Sequence, residues 1–482
     1  MDARTLQEFR AIVGERGVIS SAEELHTYEC DGLTNFRVLP EAVLLPESAE
    51  QVQGIVRVCH RERIPFVARG SGTGLSGGAL PVANGVVIST ARMNRIIEVD
   101  LPNQRVVVEP GVINLDVTGK VSPHGFFYAP DPSSQSVCSI GGNVAENSGG
   151  AHCLKYGFTT THVLGIEVVL PDGTLVHLGG RTLDAPGYDL PGVFVGSEGT
   201  LGVTTKVILR IVKRPECIQT LLAAFATTGE AGAAVSGIIA AGMVPAAIEM
   251  MDNLSIQAAE AAVHANYPNC GGLLLVELDG PTAEVAALME KVNEICNGCG
   301  ATEIRLAQSE AERAVFWKGR KAAFAAVGRI SPNYIVQDGV IPRTALPRVL
   351  TEIERLSEAA GIKVANVFHA GDGNLHPLVL YDRRIEGQEH AAEELAVRIL
   401  ELCIEAGGSI TGEHGVGEEK KMMMGKMFSE PDLATMQLVR CAFDPLQLSN
   451  PSKVFPRPRL CGEKPGPYTP HPLEVAGIAE RF

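Results

Sequence analysis

Apolar residues fall into short runs set off by Gly, Pro, Asn and Asp, with helical periods between several of them. Ala42-Val-Leu-Leu-Pro46 predicts a strand. Ser48 caps the helix that follows, with Gln51 completing a capping box, and the helix runs to about Glu62 with Val52, Ile55, Val56 and Cys59 on one face. Pro65–Arg69, Val86–Ser89, Arg95–Val99 and Arg105–Glu109 read as strands. Thr161–Leu170 and Thr174–Leu178 form a hairpin about Pro171-Asp-Gly173, and Lys206–Val212 is a further strand. Between residues 217 and 300 strands alternate with helices: Leu221–Phe225, Ala231–Ala241, Leu273–Leu278, Ala283–Cys296. Glu310–Lys321 predicts a helix with Val315, Phe316 and Ala323 on its apolar side, and Val364–Phe368 predicts a strand. Strand and helix patterns both recur along the chain. Its 482 residues exceed one core and call for two or three domains.

Three glycine-rich stretches interrupt this pattern. Gly70-Ser-Gly-Thr-Gly-Leu-Ser-Gly-Gly78 can curl its backbone N–H groups around an anion, a pyrophosphate being the usual guest. No helix pattern follows it, and there is no Gly-Lys-Ser/Thr, so neither a dinucleotide-type turn nor a P-loop is predicted. Ala129–Gly150 holds small residues, hydroxyls and amides suited to lying against a planar polar ligand. Val195–Thr205 is the third.

The densest chemistry lies in Val364-Ala-Asn-Val-Phe-His-Ala-Gly-Asp-Gly-Asn-Leu-His376 and Ser409-Ile-Thr-Gly-Glu-His-Gly-Val-Gly417. A strand runs into a Gly-Asp-Gly turn with a histidine at each end, and a second short strand carries an acid and a histidine side by side. His369, His376 and Glu413 are candidate ligands for one divalent ion. Imidazole plus carboxylate suits zinc, manganese or iron(II) better than magnesium or calcium, and zinc is the first expectation. Three protein ligands leave positions open, which is the catalytic pattern. Adjacent side chains of an extended chain point to opposite faces, so His414 is left free to act as a general base. Asp372 and Asn374 are expected to set the turn or orient a ligand imidazole.

Charge and composition narrow the classes. Lys plus Arg number 41 against 56 Asp plus Glu, a net charge of −15 that argues against a nucleic-acid binder. The polar start lacks an apolar signal core and no long charge-free apolar run appears, so a cytoplasmic protein is expected. The eleven cysteines are scattered, with Cys296-Asn-Gly-Cys299 the only close pair, and are expected to be reduced thiols. No iron–sulfur run is present.

Together the glycine nest at 70–78, the Pro-Asp-Pro-Ser-Ser and Ser-Ile-Gly-Gly-Asn segment at 130–150, and Gly-Ser-Glu-Gly-Thr-Leu-Gly at 196–202 resemble the FAD domain of the vanillyl-alcohol oxidase/PCMH flavoproteins. The metal constellation resembles the C-terminal domain of their FAD-linked D-2-hydroxyacid dehydrogenases. At finer grain, Tyr28–Leu33, Ala129–Gln135, His152–Gly157, Glu249–Ser255, Val327–Pro332 and the terminal Glu-Arg-Phe resemble the flavin-bearing subunits of bacterial glycolate oxidases.

The resemblance implies an α+β fold, with a PCMH-type FAD-binding domain of two α+β subdomains at 38–216 and a cap domain of antiparallel sheet and helices at 217–457. A helical lead-in at 1–37 and a tail at 458–482 flank them. It implies non-covalent FAD, with the pyrophosphate on Arg69, Gly70, Ser71, Gly72, Thr73 and Gly74. Further contacts fall at Pro130, Asp131, Ser134, Ser139 and Val203, and the ring edge meets Ile140, Gly141, Gly142, Asn143 and Asn147 together with Glu198 and Gly199. It implies that Arg320 grips a substrate carboxylate, while Lys318 and Arg313 read as a solvated helix face. The reaction implied is metal-assisted hydride transfer from a small 2-hydroxy acid, glycolate or D-lactate, to flavin N5. Phe324 and Leu378 stand where relatives acting on 2-hydroxyglutarate carry polar residues, which disfavours a second carboxylate. A second flavin subunit and an iron–sulfur subunit are the implied partners, with a peripheral place at the inner membrane through them. The other readings are a stand-alone D-lactate or D-2-hydroxyglutarate dehydrogenase, or an electron-relay flavin subunit without its own substrate site.

Overall fold

Three large sheets and a two-stranded one, Phe126–Phe127 with Val212–Lys213, carry the chain in a computed structural model, which describes residues 1–183, 187–457 and 461. The first large sheet is four-stranded, in the order Val18–Ile19, Ala42–Leu44, Val86–Ser89, Phe66–Arg69. Its last three strands run parallel, and Ala49–Glu62 packs Val52, Ile55, Val56 and Cys59 against them. Ser48 accepts from Gln51 N, but the Gln51 amide reaches back to Glu47 N, one residue before the cap, so the capping box is only half made.

The second sheet is antiparallel and five-stranded: Ile96–Asp100, Arg105–Val108, Val203–Arg210, Val163–Val169, Leu175–Gly179. The predicted hairpin is present, closed by Gly173 N donating to Leu170 O with Gly173 at φ 85°. Its first strand starts at Val163 because Thr159–His162 winds into a single 3-10 turn. The segment at 129–150 is not all irregular. Ser139 caps a seven-residue helix, Ile140–Glu146, by accepting from Gly142 N.

The third sheet is antiparallel, nine-stranded, and forms the cap. Its spine runs Glu303–Leu306, Cys217–Phe225, Gly272–Gly280, Ala247–Asp252, Val364–His369. Helices Thr228–Ala240, Thr282–Gly298, Leu346–Ala360 and Gln388–Glu405 bury one face in the largest apolar cluster, and Asn253–Val263 with Glu310–Val327 cover the other. In Glu310–Val327 the apolar side is Phe316, Trp317, Ala323, Ala326 and Val327, whereas Val315 is exposed. Arg313 is not on a solvated face: it forks onto Glu277 at 2.9 Å through Nε and Nη2, and Lys318 remains exposed. The fold class is the α+β arrangement expected, with the four- and five-stranded sheets first and the antiparallel cap second.

Two cysteines depart from expectation. Cys441 and Cys461 are joined, their Cα atoms 5.4 Å apart, and nine other cysteines are free. Sequence spacing carried no sign of the pairing, since the partners are twenty residues apart with no second pair to frame them. Apart from Cys461, the tail from 458 lies outside the described residues, as does the terminal Glu-Arg-Phe. Among the described residues no helix is long and apolar enough to cross a membrane.

Candidate active site

A cavity of about 730 Å³ lies between the first two sheets and the cap. Strand Phe66–Arg69 delivers the glycine loop to its wall, where Arg69, Gly70, Ser71, Gly72, Thr73 and Gly74 line it. The close approach explains the glycines. A Cβ on Gly70 would stand 2.0 Å from Ser139 Oγ, and one on Gly72, at φ +70°, 2.3 Å from Arg69 Nη2. Ser134, Ser139, Gly141, Gly142 and Asn143 line the cavity from the second glycine-rich stretch, and Glu198, Gly199 and Val203 from the third. The N-terminal lead-in supplies wall too, through Gly32, Leu33, Thr34 and Asn35. Asp31 pins it there by accepting from Ala79 N at 3.1 Å.

Four of the predicted contacts stand back from this wall. Ile140 is fully buried in the apolar core behind it. Pro130 is buried, its carbonyl accepting from Asn114. Asp131 spends its carboxylate on His152, accepting from the backbone N and lying 2.8 Å from Nδ1. Asn147 ends the short helix in the left-handed region at φ 52° and accepts from Thr160 N.

At the cap end of the cavity, Glu413 and His414 line the wall. His369 ends strand Val364–His369, and a Gly-Asp-Gly turn reverses the chain so that Asn374 pairs with it. Gly373 sits at φ +76° with Ile341 O 2.2 Å from where a Cβ would be. His376 is thereby brought beside His369, ring centroids 5.1 Å apart. Three imidazoles converge on Glu413 Oε1: His369 Nε2 at 3.3 Å, His376 Nε2 at 3.2 Å and His414 Nε2 at 3.9 Å. Glu413 and His414 face the same centre, against the alternation expected of an extended chain. The reason is Asp338. Residues 411–414 are a loop wrapped on its carboxylate, with Oδ2 accepting from Thr411 Oγ1, Gly412 N, Glu413 N and His414 N at 2.5–3.1 Å. The His414 ring stacks on His376 at 4.9 Å.

Neither Asp372 nor Asn374 orients a ligand imidazole. His369 Nδ1 meets Glu249 Oε1 at 2.8 Å, across the strand pair that sets Glu249 opposite His369. Arg320 is buried beside them, Nη2 2.6 Å from Glu249 Oε2, and does not itself reach the cavity wall. Phe324, one turn on, does line the cavity and meets the His376 ring edge-on at 5.8 Å. Leu378 is fully buried in the cap core.

The electrostatics follow from this crowding. Burial pushes the Glu413 carboxyl up, but His369 and His376 outweigh it and hold it well below the carboxylate range. Asp338 is likewise pushed up by burial and held low by His414, Lys420 and His376. Burial pushes the His414 imidazole down to about 4, with Asp338 opposing. Glu249 and Asp338 were not legible as site residues. An acid inside the apolar run Ala247–Met251 was the physical signal for Glu249, which also opens the Glu249–Ser255 stretch of the family resemblance.

Residues 40–179 match the FAD binding domain family, and residues 214–454 match the family described as FAD linked oxidases, C-terminal domain. The chain belongs to the FAD-linked oxidases. The glycolate oxidase subunit GlcD of Escherichia coli K12 is 53% identical over 447 residues, covering 92% of this chain and 90% of that one. GlcD of Bacillus subtilis is 39% identical, covering 89% and 92%, and a D-lactate dehydrogenase of Anaerostipes hadrus is 30% identical, covering 93% and 96%. The fold is that of p-cresol methylhydroxylase, at TM-score 0.77 and 17% identity over 94% of this chain and 96% of that one. In this FAD-linked oxidase the glycine loop lines the same cavity as Glu413 and His414, which is where an FAD-dependent oxidoreductase needs its cofactor and its substrate to meet.

Proposed function

We propose that this FAD-linked oxidase oxidises a small 2-hydroxy acid, glycolate or D-lactate, at the centre formed by His369, His376, Glu413 and His414. The observation that carries the reading is the convergence of three imidazole Nε2 atoms on one Glu413 oxygen beside the cavity. Bound FAD supplies the two-electron acceptor. Its cradle is the cavity-lining loop at 70–74, which Gly70 and Gly72 let pack tightly against Ser139 and Arg69. A divalent ion, zinc in the first instance, fits the donor set of His369, His376 and Glu413, and supplies Lewis acidity for the substrate hydroxyl. His414 Nε2 faces the same centre and takes the hydroxyl proton there. Arg320 is assigned the substrate carboxylate from just behind the cavity wall; its buried Nε has no hydrogen-bond partner, which leaves a donor to give, while Nη2 stays 2.6 Å from Glu249 Oε2. Phe324 closes the pocket with an apolar ring and disfavours a second carboxylate.

In the same reading residues 38–216 are the FAD half and 217–457 the substrate half, after a lead-in at 1–37. The matched spans at 40–179 and 214–454 support that division. The E. coli and B. subtilis relatives are named as glycolate oxidase subunits, which supports a place for this chain in a complex; a second flavin subunit and an iron–sulfur subunit, with a peripheral membrane place through them, remain part of the proposal. The D-lactate dehydrogenase relative supports D-lactate as the alternative substrate.

Metal analysis of the purified holoprotein tests the centre. The account expects about one equivalent of divalent metal, lost from His369→Ala and His376→Ala while FAD is retained. Equal metal content in all three proteins would refute the ligand assignment.

A further inference from the structure

Glu249 sits in the middle of strand Ala247–Asp252 with Ile248 and Met250 packed in the apolar cluster on the other face. It is 1% exposed, and a carboxylate is almost never so deeply buried unless paired. Its two oxygens divide their work. Oε1 lies 2.8 Å from His369 Nδ1 and Oε2 lies 2.6 Å from Arg320 Nη2. The first contact follows from sheet register, since Glu249 and His369 are directly opposed on neighbouring strands. The second comes from helix Glu310–Val327 lying across that face.

We infer that Glu249 is a positioning residue that fixes the His369 tautomer and the Arg320 guanidinium together, so that metal retention and substrate-carboxylate binding depend on one side chain. The inference rests on the function proposed above. A carboxylate on Nδ1 keeps the proton there and leaves the lone pair on Nε2, the atom that points at Glu413 Oε1 from 3.3 Å. The contact to Arg320 is an ion pair through Nη2, and Nε has no hydrogen-bond partner, so Glu249 holds one arm of the guanidinium and leaves Nε to give.

Glu249→Gln keeps the volume and removes the charge. Zn(II) is titrated into chelator-stripped, FAD-loaded protein against a competing chromogenic chelator, and KM and kcat are measured with glycolate. The expected result is a zinc affinity lower by roughly 10–100-fold, with KM for glycolate raised by a larger factor than kcat is lowered. A merely structural role would lower kcat through the active fraction and leave KM unmoved. Folded Glu249→Gln with zinc affinity and KM both as in the wild type overturns the inference. If Glu249→Gln does not fold, Glu249→Asp decides. The shorter carboxylate cannot span both partners, so wild-type zinc affinity together with wild-type KM overturns the inference there too. Failure of the metal reading itself shows separately, as wild-type protein that takes up no zinc at His369 and overturns both.

Discussion

Asp338→Asn is the substitution whose consequence can be worked furthest. Asp338 is fully buried, and its Oδ2 accepts from Thr411 Oγ1 and from the N–H groups of Gly412, Glu413 and His414. Lys420 Nζ lies 3.6 Å from the same oxygen. An Asn amide oxygen has two lone pairs and its NH₂ turns donors toward donors. At least two of the hydrogen bonds to an ionised acceptor are therefore lost, at about 1.5–3 kcal/mol each. Even the low end, about 3 kcal/mol, is roughly a hundredfold in the local opening equilibrium. Hydrogen exchange read by mass spectrometry on a peptide spanning 409–417 measures this directly. Strand Val163–Val169 in the second sheet serves as the internal reference, since it shares no partner with Asp338. The account expects exchange at 412–414 to speed up by about a hundredfold or more while the reference is unchanged. Turnover should fall with it, because Glu413 and His414 are held by those same N–H groups. Exchange within about threefold of wild type would refute the claim that Asp338 holds the loop.

Other consequences are as specific. His152 lies between Asp131 and Glu277, which outweigh burial and raise its pKa from 6.5 to about 10. A raised folded-state pKa gives stability that is fully present below 6.5 and lost as pH rises through about 10. Denaturation midpoints of wild type should therefore fall across that window, and those of His152→Gln should fall less; parallel curves would count against a charged His152. Gly70→Ala drives a methyl to 2.0 Å from Ser139 Oγ, so the purified variant should lose its flavin absorbance, and full FAD content would contradict the cradle. Phe324→Arg puts a guanidinium on the cavity wall and should raise turnover of D-2-hydroxyglutarate relative to glycolate; an unchanged ratio would remove Phe324 from the pocket.

Much of this was legible because it is local. The strands at 42–44, 66–69 and 86–89 and the hairpin at 163–179 are short apolar runs bounded by turn residues, and period and punctuation suffice to find them. The His369–His376 reversal was legible because only glycines permit it. What was missed is tertiary. Glu249 belongs to the centre through strand register and Asp338 through a loop that folds onto it, and neither relation leaves a spacing in the sequence. The face assigned to His414 went astray for the same reason: alternation holds for a strand, and 411–414 is bound to a buried carboxylate instead. Arg313 looked solvated because its partner Glu277 sits on a strand 36 residues earlier.

The central claim is that this one chain carries both the cofactor and the substrate site. Anaerobic mixing of the purified chain, without partner subunits, with glycolate and with D-lactate tests it most directly, following the flavin absorbance band. The account predicts bleaching by at least one of the two acids, abolished by prior chelation and restored by added divalent metal. An unbleached band with FAD and metal both bound would place the substrate site on another subunit and leave this chain an electron relay.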